Sequence, residues 1–308
     1  MLSKMFAPQA VSVDEAALEN HLRWLQGNGG ACLDLSHRSL SDLRLRDAVL
    51  RSARMTRCSL IDADLSGADL SCAILEGADL GGAVLTLADL SEANLRQAHL
   101  QKAALTEARL MSAILDEANF RNARLPRARL VSSKMHRAAF TDADLAGAAL
   151  HQVRAFECDF SGAILNEANF TGASLQACKF YGARLEEAVF TRARLLDCIF
   201  AGTEARGLRC SSSDLGKCDF SDAELTASDF REANLQGARL AGAKLAQARF
   251  GNARLFGADL RGADLRGARE MTSEQLCAAR TDNTTTLPNG TPGPYAKGSA
   301  AEKAGVLR

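Results

Sequence analysis

Four of the nine cysteines, Cys158, Cys178, Cys198 and Cys218, are separated by steps of twenty residues. Thiols can cross-link, hold a soft metal or act as nucleophiles, and each use asks for a different setting. A structural zinc site needs two pairs of ligands, and Cys32 with His37 has no second pair. The remaining histidines are scattered, so no metal ligand set and no cofactor is expected. Acidic side chains number 37 against 37 basic ones, and neighbours such as Asp64 and Asp69 carry the groups that acid–base chemistry uses. They recur too regularly to be read that way, because an Asp or Asn returns in one fixed slot of a short pattern. No G-x-S-x-G, H-E-x-x-H, phosphate-binding loop or G-x-G-x-x-G after a strand is present. No catalytic residue is assigned, and the expectation is a protein that is not an enzyme.

The slot belongs to a period of five. Ala63-Asp64-Leu65, Ala68-Asp69-Leu70, Ala118-Asn119-Phe120 and Ala263-Asp264-Leu265 typify a run without insertion from roughly residue 33 to residue 268. Of the 47 multiples of five from 35 to 265, 44 are Leu, Phe or Met, and of the 45 positions two earlier from 48 to 268, 34 are Ala. A fixed short period is the mark of a solenoid, in which each unit buries its apolar face against its neighbours. The pattern resembles the pentapeptide-repeat family, with consensus A-(D/N)-L-x-x, over about three quarters of the chain. That resemblance implies an all-β solenoid: a right-handed quadrilateral parallel β-helix with one pentapeptide per side and four per coil. It also implies that the centre residue and the Ala before it point inward.

The coil length can be read independently. Phe occupies the centre at 120, 140, 160, 180, 200 and 220 and at 170, 190, 230 and 250, always a multiple of ten, so the number of pentapeptides per coil is even. The four cysteines, with Ala168, Ala188, Leu208 and Ser228 between and beyond them, select twenty residues over ten. About twelve coils at roughly 4.8 Å each make a rod on the order of 55 to 60 Å long. Cysteines in the inward Ala slot are then core filler against a Phe column. In-register neighbours fall within the disulfide range, but their side chains run parallel and a reducing cytosol opposes bridging. Where the centre shrinks, at Ala155, Ala205 and Cys210, the residue two before grows, to Val153, Thr203 and Leu208. Close packing explains this compensation, and irregular turns are expected at those places.

Solenoid ends need covering, since bare strand edges pair with other chains. Residues 1–30 are read as an N-terminal segment with a helix near 13–26. Ser12 and Glu15 have capping-box spacing, Leu18, Leu22 and Leu25 share a face, and Trp24 sits close to the first coil. The run His21, Trp24-Leu25, Gly27, Gly30 resembles the lead-in helix of bacterial pentapeptide-repeat proteins. The β-helix spans 31–269, with Leu33, Arg38 and Leu43 breaking the Ala rule in its first units. Residues 270–287 form a C-terminal capping helix segment with Thr272 or Ser273 as N-cap. Residues 288–308, rich in Gly, Pro and Ser, read as a flexible tail. No apolar run spans a membrane, and the start lacks a signal-peptide core, so a cytoplasmic, bacterial protein is expected, with signal-independent secretion left open.

Recognition must then lie on the outer wall. Net charge is zero, yet charge is banded. Asp62, Asp64, Asp69, Glu76, Asp79, Asp89 and Glu92 form an acidic band, and Arg121, Arg124, Arg127, Arg129, Lys134 and Arg137 a basic belt. Arg239, Lys244, Arg249 and Arg254 place one cation on each side of a single coil. Charge reversal of Asp64, Asp69 and Asp79 is expected to spare the fold, since these side chains lie outside the core. The reading is a non-enzymatic protein-interaction scaffold, a monomer or an end-to-end dimer through its C-terminal cap, binding neither nucleic acid nor membrane. The family resemblance supplies one alternative, a DNA-mimicking binder of DNA gyrase or topoisomerase IV that protects them from poisons; the missing signal peptide and the tail are compatible with another, a secretion-associated effector or adaptor. The zero net charge disfavours the first, because a phosphate mimic needs dense negative charge.

Overall fold

The computed structural model describes residues 13–304. Parallel one-residue bridges join each residue before a centre to the residue twenty further on, from Asp34 and Arg54 through to Arg249 and Arg269. The coil therefore holds twenty residues, and the chain winds as a right-handed quadrilateral β-helix. We number its sides by their centre residues: side 1 runs from Leu60 to Phe220, side 2 from Leu65 to Leu225, side 3 from Leu70 to Phe230 and side 4 from Leu75 to Leu235.

The pentapeptide satisfies its own backbone, which is why the repeat is stable. Around Leu65, the amides of Leu65 and Gly67 donate to Val84 and Thr86 in the next coil, at 2.8 and 2.9 Å, and Asp64 donates back to Leu43 at 2.8 Å. A turn bond from Ala68 to Leu65, 3.0 Å, uses the fourth amide. The fifth, on Ser66, is taken by the Asp64 carboxylate at 3.1 Å. Buried backbone groups must all be paired, and the consensus Asp or Asn supplies the one acceptor the ladder lacks. Asn119 and Asn169 do the same for Arg121 and Thr171, at 3.2 and 2.9 Å. The turn also holds its third residue in the left-handed region, with φ of 55° at Asp142 and 64° at Gly147, the signature of a type II turn.

Inside, the phenylalanines stack as the spacing predicts. From Phe120 to Phe220 on side 1, successive ring centroids lie 4.5 to 5.0 Å apart and within 10° of parallel. Phe170 and Phe190 stack on side 3 at 4.6 Å and meet the first column edge-on, as Phe170 meets Phe180 at 6.1 Å and 85°. Cys158, Cys178, Cys198 and Cys218 are buried in their own row. Nothing charged is buried among the described residues, and the few buried polar side chains include Thr203, Ser213 and Thr285.

Irregularity is confined to side 4. Three-residue strands β1 (Lys134–His136), β2 (Arg154–Phe156), β3 (Ser174–Gln176) and β4 (Arg194–Leu196) pair in parallel there, in that order. In these four turns the usual bond back to the centre carbonyl is missing among the described residues. Ala155 lies in one of them, as expected, but Ala205 and Cys210 keep ordinary turns, with Leu208 and Ser213 donating to them at 3.2 Å. There the larger Leu208 and the hydroxyl bond from Thr203 to Phe200, 2.8 Å, fill and pair the space without bending the wall.

Both ends are covered. Helix α1 (Glu15–Leu25) is capped by Asp14, whose carboxylate accepts from Ala16; Ser12 lies outside the described residues. The anchor is His21 rather than a leucine stripe. His21 is fully buried, and its Nδ1 accepts the Leu33 amide at 3.0 Å, the donor that in later units makes the turn bond to the preceding centre carbonyl. Leu22 and Trp24 point outward, Trp24 stacking on His21 at 5.7 Å. Gly30, with φ of 87°, passes so close over the helix that a Cβ would strike the Asn20 carbonyl.

At the other end α2 (Ser273–Ala278) has Thr272 as N-cap in a capping box with Gln275. The Gln275 amide donates to two carbonyls of the last coil, Phe250 and Ala253, at 2.8 and 2.9 Å. Residues 288–304 do not behave as the flexible tail their composition suggests. Thr286 pairs antiparallel with Pro292, the Tyr295 hydroxyl donates to Glu302 and accepts from Ser273, each at 2.8 Å, and Ala301 is buried. The last coil offers this segment an edge and an apolar face that composition alone does not reveal.

Candidate interaction surface

Five residues per side turn a charged run of sequence into a ring around the rod, so neither predicted band forms a face. Asp62 and Asp79 lie on side 1, Asp64 on side 2, Asp69, Asp89 and Glu92 on side 3 and Glu76 on side 4. Several are already employed. Asp64, Asp69, Asp79 and Asp89 each accept a turn amide, at 2.9 to 3.1 Å. Asp64 also pairs with Arg46 at 3.0 Å, Asp69 with Arg51 at 2.9 Å and Asp89 with Arg109 at 3.8 Å. A hydroxyl bond from Ser66, helped by the turn amide and by Arg46, holds the Asp64 carboxyl below the usual carboxylate range. At Asp69, desolvation pushes upward and is outweighed by bonds from Ser71 and Arg51. Asp62, Glu76 and Glu92 make no ion pair among the described residues.

The basic rings differ from one another. Arg239 and Lys244 pair with Asp219 and Glu224 of the preceding coil, at 3.7 and 2.8 Å, and Arg249 with Glu270 at 2.7 Å. Stacking a basic coil on an acidic one neutralises that ring, leaving Arg254 over. In the earlier belt Arg127 reaches Glu107 at 3.9 Å and Arg137 reaches Glu157 at 2.7 Å. Arg121, Arg124, Arg129 and Lys134 are exposed without an ion pair among the described residues.

A further group of exposed, unpaired cations includes residues that linear reading missed. Arg154, Arg192 and Arg194 stand beside Arg129 and Lys134 on sides 3 and 4, all exposed and none with an ion pair among the described residues. Lys134 and Arg154 face a groove of about 590 Å³ on the edge between those sides, also lined by Ser112, Ser132, Gln152 and Ser174. A column at every twentieth residue would have exposed this cluster, whereas a run of consecutive residues could not.

The cysteines offer no reactive centre. Six are buried, and only Cys72 and Cys277 are exposed, with Cys32 half-buried. Burial pushes the Cys58 thiol up to about 12 and Cys210 well above its ordinary value. Cys158 and Cys198 are raised by hydrogen bonding to Cys178 and by burial. No cation faces the row, so Cys158 and Cys198 are neutral thiols. No cluster of metal-binding side chains occurs among the described residues, and none of the described helices is long and apolar enough to cross a membrane.

Comparison with known proteins agrees with this geometry. The family described as "Pentapeptide repeats (8 copies)" matches residues 33–67, 48–86, 88–127, 113–152, 133–172 and 233–269, and "Pentapeptide repeat region" matches 173–250. No curated protein gives a significant match to the chain. Among solved structures, it is similar to HetL, a pentapeptide repeat protein involved in heterocyst differentiation regulation from the cyanobacterium Nostoc sp. strain PCC 7120. The identity is 24%, covering 92% of this chain and all of HetL, with a TM-score of 0.35. It is also similar to a trypsin-treated form of QnrB1, a plasmid-mediated fluoroquinolone resistance protein, at 18% identity over 56% of this chain and 92% of QnrB1, TM-score 0.29. A third likeness is to a pentapeptide repeat protein of the Arabidopsis thaliana thylakoid lumen, at 26% identity over 44% of this chain and 79% of that one, TM-score 0.17. With repeat matches running through nearly all of residues 33–269, the chain belongs to the pentapeptide-repeat family.

Proposed function

We propose that this protein is a non-enzymatic scaffold whose rigid outer wall binds another protein. The observation that carries the reading is the division of labour within each pentapeptide. Inward positions are spent on packing, and one outward position in three is spent on the turn amide, which leaves one outward side chain free to vary and another limited only by its left-handed backbone. Such a wall presents chosen side chains at fixed spacing, and its preorganisation saves the ordering cost of association. The nine unbridged cysteines suit a reducing compartment, so the cytoplasm is the proposed location. The covered C-terminal edge favours a monomer over an end-to-end dimer through that cap.

Binding to DNA gyrase or topoisomerase IV is the weaker reading. Its basis in sequence, the acidic band, is partly neutralised by Arg46, Arg51 and Arg109. Immobilised wild-type rod and a misfolded Leu165→Asp control, each exposed to lysate of the source cell, test both readings. The scaffold reading expects a polypeptide retained by the wild type alone; gyrase subunits in that eluate would promote the alternative. Equal retention on both baits, or none, overturns the scaffold reading.

A further inference from the structure

The acid-free region of sides 3 and 4 extends well past the groove. In four successive coils, residues 129–136, 149–156, 169–176 and 189–196 contain no Asp or Glu, in a chain with as many acids as bases. Five exposed cations lie in them: Arg129, Lys134, Arg154, Arg192 and Arg194. Acids return only at the borders, where Glu157 and Asp197 mark the edge with side 1, Glu167 and Glu187 the edge with side 2, and Asp116 and Asp214 the coils to either end. His136 and His151 also face this panel.

Within the panel the side-4 strands set two columns side by side. Lys134, Arg154, Ser174 and Arg194 are in register through one column, and His136, Phe156, Gln176 and Leu196 through the other. Phe156 is 37% and Leu196 43% exposed, and the His136 ring leans on Phe156 at 5.2 Å. The missing turn bonds flatten the wall here, so strands of three residues replace single bridges. A cation column beside an apolar column selects for a partner that carries both carboxylates and bulky apolar side chains. A phosphate polymer would use the first column and leave the second solvated, whereas single-strand binders supply aromatic stacking platforms along their groove. The four coils span about 14 Å along the axis, the length of roughly four or five extended residues.

We propose that this panel docks a short, extended acidic segment of a partner protein, its carboxylates on Lys134, Arg154 and Arg194 and its apolar side chains on Phe156 and Leu196. The proposal rests on the scaffold reading and names its surface and the chemistry of its partner.

The test uses the full chain and a fluorescein-labelled peptide alternating Glu with Leu and Phe, followed by fluorescence anisotropy at low salt. Wild-type rod should bind it, and the triple variant Lys134→Glu, Arg154→Glu, Arg194→Glu should weaken binding at least tenfold. A control triple of equal charge change outside the panel, Arg121→Glu, Arg124→Glu, Arg254→Glu, should change it less than twofold. Phe156→Ser with Leu196→Ser should also weaken it, and replacing Glu by Gln in the peptide should abolish it. Equal loss in the two triples would reduce the effect to net charge and overturn the proposal. So would full competition by a single-stranded oligonucleotide, or a wild-type dimer in sedimentation that only the panel triple dissociates, which would name a second copy as the occupant. If the peptide fails while the rod still retains a cellular partner regardless of the panel triple, the panel is wrong and the scaffold reading stands. Loss of all retention would sink the scaffold reading itself.

Discussion

Cys158 donates its thiol to the carbonyl oxygen of Met135 in the preceding coil, Sγ to O 2.9 Å. The widened turn after Met135 makes no bond back to that carbonyl, so the thiol shares it with the β1–β2 ladder alone. Cys218 repeats the contact with Leu195 at 2.8 Å, and Cys198 approaches Leu175 at 3.8 Å. The cysteine row is thus a hydrogen-bonding device of the side-4 wall as well as core filler, and the flattened wall it supports carries the cation and apolar columns.

Removing the thiol should expose this role. Cys218→Ala leaves the Leu195 carbonyl buried and unpaired, a cost of about 1–3 kcal/mol. Cys218→Ser should lose less, because half a coil further Ser228 already makes the same type of contact, to Ala205 at 3.3 Å. Urea melts of the two variants compare them; equal midpoints would show that only volume matters.

Thiol access should follow burial. In the native state a maleimide should label Cys72 and Cys277 quickly, Cys32 slowly and the six buried cysteines only after denaturant is added. Native labelling of Cys178 or Cys198, read by peptide mass, would contradict a closed interior.

The acidic slot is structural where sequence alone made it decorative. Asp64→Asn, Asp69→Asn and Asp79→Asn together should keep most of the stability, since Asn fills this slot at 119 and 169. The corresponding Lys triple strands three turn amides and should lose about 1 kcal/mol or more at each. The fold therefore should not be indifferent to charge reversal, contrary to the expectation from exposure. The pH dependence has a definite sign. The folded pKa values of Asp64 and Asp69 lie below the ordinary 3.8, so their stabilisation is complete above about that pH and is lost as pH falls through the depressed values. Thermal melts from pH 6 to pH 2 should show wild type losing its advantage over the Asn triple in that acid range.

Much of this architecture was legible because the period is strict. Leu65, Phe120 and Cys158 each declare an inward slot by type and by spacing, and twenty-residue stacking follows from the Phe and Cys positions. The end caps were legible only in outline. An N-cap at Thr272 or Ser273 was legible, but nothing local marks His21 as the acceptor for Leu33, a contact set by where the helix lands. The tail beyond Pro288 was misread because its order comes from the edge it covers. The panel was hidden for a geometric reason: Lys134, Arg154 and Arg194 share one column in space and lie twenty to sixty residues apart in sequence.

His21 should make the N-terminal cap sensitive to mild acid. Desolvation lowers its pKa below 6.5, only partly offset by a backbone hydrogen bond, so the neutral, folded form is fully favoured above about that pH and loses stability as pH falls further. Trp24 stacks on it, and Trp24 fluorescence should change between pH 7.5 and 5 while the coil circular dichroism stays constant. A His21→Gln variant should remove the transition; its persistence would assign the change to another group.

The central claim, a packed rod that recognises protein through its outer wall, is tested most directly by cross-linking mass spectrometry on the rod with its captured partner. The account predicts cross-links from outward lysines such as Lys134 and Lys179 on the coils, lost when the rod is misfolded by Leu165→Asp, which places a charge in the dry core at a cost of several kcal/mol. Cross-links confined to residues before 31 or after 270, or unchanged with the misfolded variant, would contradict it.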